Sequence, residues 1–124
     1  MKEIITTKNA PAAVGAYSQA VKSENLLFCS GQIALDPVSG VLTGSDIQAQ
    51  TEQVMQNISA LLAASGASFD DVVKTTCFLA DINDFAGFNA VYAKYFTGKP
   101  ARSCVAVSAL PKGASVEVEV IAVV

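Results

Sequence analysis

Two charged residues near the C-terminal end, Arg102 and Glu117, are where chemistry can be built in this sequence. Arg102 stands in Pro100-Ala101-Arg102-Ser103-Cys104-Val105. In a strand, a side-chain period of two puts Arg102, Cys104 and Ala106 on one face. An Arg followed by small residues leaves open space beside a fixed cation, and a guanidinium matches a carboxylate in a two-bond fork. The plainer alternative is an Arg paired with Glu117 or Glu119, or one snorkelling at a strand end. Glu117 and Glu119 lie two apart among valines. A carboxylate buried there has its pKa pushed up toward general-base values, whereas a solvated or salt-bridged one does not.

The chain has no histidine. That excludes Ser–His and Cys–His nucleophile pairs and His-ligated metals, and leaves carboxylate, Tyr, Lys, Cys or held water for acid–base work. The remaining polar candidates are few. Tyr17 follows a Gly-containing loop and offers a hydroxyl donor, or simply packs at a loop edge. Ser30-Gly31 offers a hydroxyl and a close backbone N–H, or a simple bulge. Asn89 falls on a helix, where a solvent-facing role competes with ligand contact. Cys104 lacks an activating base, so a structural or backbone role fits it better than a nucleophile.

These residues must be carried by elements that the pattern outlines. Lys2 to Thr7 reads as a short strand, and Leu26 to Leu35 as a strand interrupted at Ser30-Gly31-Gln32; a turn follows at Asp36 to Gly40. A helix begins at Ser45 or Asp46, carries Ile47, Val54, Ile58, Leu61 and Leu62 on one face, and stops at Gly66. Val72 to Leu79 is a strand. A second helix starts at Asn83-Asp84, places Phe85, Phe88, Tyr92 and Tyr95 at steps of three and four, and ends at Gly98. Arg102 to Leu110 and Ser115 to Val124 are strands around Pro111-Lys112-Gly113. The order ββ-α-β-α-ββ predicts an α+β fold, residues 1–124 forming one domain with both helices on one face of a single sheet.

The last strand is apolar on both sides: Val116, Val118, Val120, Ala122 and Val124 on one, Ile121 and Val123 beside the two glutamates on the other. With 52% hydrophobic and 15% charged residues and a mean hydropathy of +0.43, the chain has few charges to cover its surface. A sheet face buried against further copies of the chain accounts for both features. A tight hairpin about Pro111 to Ala114 would hold Arg102 on the order of 20 Å from Glu117. Hence either the last two strands are not direct neighbours in that register, or the two side chains meet across a subunit boundary.

The remaining composition sets bounds. A net charge of −3 with eight scattered Lys and Arg argues against nucleic acid as the main partner. Met1 to Thr7 has no apolar stretch of a secretory signal, and no run spans a bilayer, so no membrane partner is expected. Cys29, Cys77 and Cys104 form an odd set without CxxC spacing, which reads as free thiols in the cytoplasm. No metal constellation is present and no cofactor is called for.

At these positions the sequence resembles the RidA/YjgF family, the reactive-intermediate deaminases. The resemblance runs through Asn9-Ala10-Pro11-Ala12-Ala13 to Tyr17, Ser30-Gly31-Gln32-Ile33, Val73-Lys74-Thr75-Thr76, Asn83-Asp84-Phe85, the Pro100 to Val105 stretch, Leu110-Pro111-Lys112 and the Glu117 strand. It implies a chorismate-mutase-like fold, a homotrimer with sites at subunit interfaces, and hydrolysis of 2-iminobutanoate and 2-iminopropanoate to 2-oxo acids and ammonia. Carried over, Arg102 would hold the substrate carboxylate and Glu117 would orient or deprotonate water. Cys104 would contribute mainly backbone contacts; Tyr17, Ser30, Gly31 and Asn89 would line the pocket. Thr97-Gly98-Lys99 is shorter than in some relatives, which bears on the pocket rim. Two other readings stand beside this one. One is a trimer that binds 2-oxo acids or similar small carboxylates without turnover; the other is RNA cleavage, which the acidic composition and missing histidine oppose.

Overall fold

A computed structural model describes residues 1–124. The chain runs β1 (Lys2–Ile5), β2 (Ala20–Ser23), β3 (Leu26–Gln32), α1 (Ile47–Ala64), β4 (Val72–Leu79), α2 (Phe85–Tyr95), β5 (Ala101–Ala106) and β6 (Val116–Val123). The strands form one mixed six-stranded sheet in the order β1-β2-β3-β6-β4-β5. All neighbours are antiparallel except β4 and β5. That parallel pair follows from the helix between them, since parallel strands need a crossover connection.

Two expectations are revised and one open alternative is decided. β2 is an additional strand: Ala20 to Ser23 pairs on both sides and turns into β3 at Glu24, whose φ of 55° suits a tight hairpin. Of the two arrangements left open for the last strands, the first holds: β4 lies between β5 and β6, so they are not direct neighbours. The second helix ends at Tyr95 rather than Gly98: Phe96 turns into the core, and the positive φ of 54° falls on Lys99.

One side of the sheet carries the core. Val116, Val118, Val120 and Ala122 of β6, with Leu27, Cys77 and Leu79, pack against Val54, Met55, Ile58, Leu61 and Leu62 of α1 and Phe88 of α2. Asp46 caps α1, its carboxylate accepting from the Ala49 N–H at 2.8 Å, and Gly66 (φ 74°) ends it. Polar residues of α1 tether the neighbouring loops. Asn57 is fully buried and donates to the Ile33 and Leu35 carbonyls, while Gln50 accepts from the Ser115 N–H. The segments at either end of the Glu117 region are thereby tied to one helix.

The opposite side of the sheet has no helix over it. Ile4, Val21, Phe28 and Ile121 lie side by side across four strands, with Ile4 58% and Phe28 42% exposed. The row is hydrocarbon left uncovered by this chain's own helices. No helix is long and apolar enough to cross a membrane.

Candidate functional site

Register decides where the candidate residues go. Thr75 of β4, fully buried on the helix side, is the partner of Arg102, and directly paired residues share a face. Phe78, three residues further along the same strand, is the partner of Glu117. An odd step changes face. Arg102 therefore projects on the helix side of the sheet and Glu117 on the uncovered side, roughly 14 Å apart by strand spacing and rise. The seven sequence candidates fall into two groups: Tyr17, Ser30, Gly31 and Glu117 in one, Asn89, Arg102 and Cys104 in the other.

The first group surrounds an open cavity of about 590 Å³. β3 carries the expected irregularity: Cys29 pairs with Val120 and Gln32 with Val118, so Ser30-Gly31 bulges opposite Glu119. The absent side chain at Gly31 makes room for Glu117, because a methyl group there would overlap its carboxylate. Half-buried in this position, Glu117 has its pKa raised, first by burial and then by the like charge of Glu119. No cation of the chain is bonded to it. The Ser30 hydroxyl donates to the Ser18 carbonyl at 2.6 Å, leaving its oxygen to accept from a ligand. Tyr17 is 56% exposed at the rim, and Lys112, held at a φ of 57° between Pro111 and Gly113, lines the other side.

The second group is organised by α2. The Arg102 guanidinium lies 4.7 Å from the Tyr92 ring centroid and 5.4 Å from that of Phe85, and donates to the Asn89 carboxamide oxygen at 2.7 Å. Phe85, Asn89 and Tyr92 follow one another at helical steps of four and three, so one face of α2 forms a cradle for the cation. The Tyr92 hydroxyl is tied in turn to Thr75 at 2.8 Å. Arg102 itself is exposed on the edge strand, its outward face free. Cys104 is two residues on, next to Cys77; burial pushes both thiols up, Cys77 to about 12. A protonated thiol is a poor nucleophile.

Sequence reasoning placed Phe85 and Tyr92 only in a hydrophobic stripe. The signal for their second role was Asn89 falling on the same helical face between them. Gln19, which packs against the first cavity, carried no sequence signal. No cluster of three or more Cys, Asp or Glu side chains is arranged to hold a metal ion.

Residues 7–124 match the family model described as Endoribonuclease L-PSP. The rat protein named 2-iminobutanoate/2-iminopropanoate deaminase is 48% identical over 124 residues, covering 99% of this chain and 90% of that protein. The crystal structure of RidA from the Antarctic bacterium Psychrobacter superposes with a TM-score of 0.94 at 46% identity, covering 98% of this chain and 99% of the other. E. coli TdcF with bound serine superposes with a TM-score of 0.93 at 41% identity, covering 98% of both chains.

Proposed function

The chain belongs to the Endoribonuclease L-PSP family, which includes the RidA/YjgF proteins, and from this we propose that it hydrolyses 2-iminobutanoate and 2-iminopropanoate at sites shared between copies. The observation that carries the proposal is the separation of Arg102 and Glu117 on opposite faces of one sheet. Neither half is a complete site for an imino acid. The Arg102 half has a pre-oriented carboxylate receptor without a base, and the Glu117 half has a base without a carboxylate receptor of comparable order.

A homotrimer brings the two halves together. The uncovered apolar sheet face and the exposed edge strand β5 support association, since both leave apolar or hydrogen-bonding groups unpartnered. In the assembled site Arg102 of one copy fixes the substrate carboxylate, with Asn89 steadying the guanidinium. Glu117 of the next copy takes a proton from water as it adds to the C=N carbon. That proton passes to nitrogen to give the carbinolamine, which then collapses: Glu117 relays the hydroxyl proton to nitrogen, the C–O bond becomes C=O as the C–N bond breaks, and ammonia and a 2-oxo acid leave. Tyr17, Ser30 and Gly31 line the Glu117 side, and Cys104 the Arg102 side. Positioning plus one base is adequate for a substrate that water already attacks, acid–base help being worth about 10²–10⁴-fold. The raised pKa of Glu117 suits this task. Serine bound to TdcF supports a small amino-acid-like carboxylate as the ligand class. RNA cleavage has less support: the chain has a net charge of −3 and no histidine.

The test couples a PLP-dependent threonine dehydratase to semicarbazide trapping of the imine. Added protein should suppress semicarbazone formation, and Arg102→Ala should abolish the effect. A folded protein that leaves trapping unchanged rules out the deaminase reading and leaves a carboxylate-binding trimer.

A further inference from the structure

The cavity around Glu117 owes one wall to a segment with little structure of its own. Between β1 and β2 the chain runs for fourteen residues, Thr6 to Gln19, without helix or strand. Connections of that length in a small domain are uncommon and tend to serve a site. Pro11, Ala12, Val14 and Tyr17 of this segment line the cavity, yet Val14 and Tyr17 are exposed and contribute little anchoring.

Beside the Ser30 hydroxyl on the Ser18 carbonyl and the buried Ala10, one side chain makes most of the hydrogen bonds that hold the segment. Gln19 is buried, with 4% of its surface exposed. Its carboxamide oxygen accepts from the Thr7 N–H at 2.8 Å. Its Nε2 donates toward three carbonyls, those of Thr7 at 3.0 Å, Ala10 at 3.2 Å and Pro11 at 2.7 Å. Two N–H groups serving three acceptors means one of them is shared. The backbone of the same residue faces the other way: the Gln19 carbonyl accepts from the Ser30 N–H at 3.0 Å, extending the β2–β3 ladder to the bulge on which Glu117 rests.

We propose that Gln19 is a positioning residue of the Glu117 cavity: by joining the Pro11–Tyr17 wall to Ser30, it sets how closely that half-site fits a ligand. The proposal rests on the reading of this cavity as half of the imine site. Gln19 acts through the Thr7, Ala10 and Pro11 backbone with its side chain and through Ser30 with its carbonyl, and takes no part in proton transfer. Its loss loosens the wall and leaves the Gly31–Glu117 contact in place, because that contact depends on the bulge geometry and on β6.

The experiment compares wild type, Gln19→Met and Gln19→Asn in the imine-trapping assay and in calorimetric binding of 2-oxobutanoate, on samples shown by light scattering and circular dichroism to be assembled and folded. Gln19→Met should raise KM and the Kd for 2-oxobutanoate about tenfold while kcat stays within about threefold and the acid limb of its pH profile does not move. Gln19→Asn, which keeps the carboxamide but draws it back, should fall between, and it decides the matter by the same criterion if Gln19→Met does not fold. A lowered kcat with KM and Kd at wild-type values is the mark of a merely structural residue and overturns the proposal. Wild-type protein that neither turns over the imine nor binds 2-oxobutanoate overturns the reading of the cavity itself, and the role of Gln19 with it.

Discussion

Arg102 and Glu117 lie on opposite faces of the same sheet, separated by β4: Arg102 pairs with Thr75 beneath the helices, and Glu117 pairs with Phe78 on the uncovered side. No rotamer change brings them together through a closed sheet layer. A site that used both would have to take each from a different copy of the chain, and the proposed activity would then depend on assembly.

The cradle of Arg102 separates into two measurable parts. Tyr92→Leu removes the ring beneath the guanidinium, a contact worth about 0.5–1 kcal/mol at an exposed site, so the affinity for 2-oxobutanoate should fall roughly two- to fivefold. Tyr92→Phe keeps the ring but leaves the buried Thr75 hydroxyl only the weak Cys77 thiol as partner, which should cost about 1–3 kcal/mol of stability and leave affinity nearly unchanged. Calorimetric titration and thermal unfolding of both variants check the split.

Gly31 is required by space. Gly31→Ala places a methyl group in the volume of the Glu117 carboxylate, so either the bulge or the glutamate must shift. The expected result is at least a tenfold loss of kcat, with a stability cost of about 1–3 kcal/mol typical of overpacking. Steady-state kinetics with a denaturant titration tests this, and unchanged kcat would show that Glu117 does not act from this position.

The raised pKa of Glu117 has two consequences. Because burial and Glu119 disfavour the charged form, activity that needs the carboxylate should fall on acidification at a pH above the ordinary glutamate range. Glu119→Gln removes the like charge and should move that acid limb to lower pH. For stability the sign is opposite. A carboxyl with a folded-state pKa above its unfolded value favours folding in acid, and that contribution is lost as pH rises through the folded pKa. Glu117→Gln should therefore unfold at higher temperature than wild type at neutral pH, the gap closing in acid. Thermal melts across pH, on samples of equal oligomeric mass, measure it.

Much of this arrangement was legible in the sequence where one physical signal dominated. The alternation of β6 put Val116, Val118, Val120 and Ala122 on one side, and the structure makes that side the core. Gly31 within an apolar run marked the bulge beside the site. Other features had no local signal. β2 is four residues long with Lys22 and Ser23 in it, and it is held by neighbours on both sides rather than by its own composition. The insertion of β4 between β5 and β6 is a matter of topology: α2 returns the chain parallel to β4, taking the edge position and leaving the other flank of β4 to β6. A tight hairpin about the Pro111-Lys112-Gly113 turn is excluded by that crossover. Gln19 and Tyr92 were hidden for another reason, since hydrogen bonds between distant segments and a ring beneath a cation leave no periodic trace.

The measurement that bears most directly on a site shared between copies is activity in mixed assemblies. Arg102→Ala and Glu117→Gln should each be inactive alone. Unfolded together in equal amounts and refolded, they should regain about one quarter of wild-type activity, the fraction of interfaces at which an intact Arg102 meets an intact Glu117 in a cyclic oligomer. Light scattering on the refolded sample should report a multiple of the 12.8 kDa chain mass. Refolded mixtures that assemble but remain as inactive as either variant would contradict a site built from two copies.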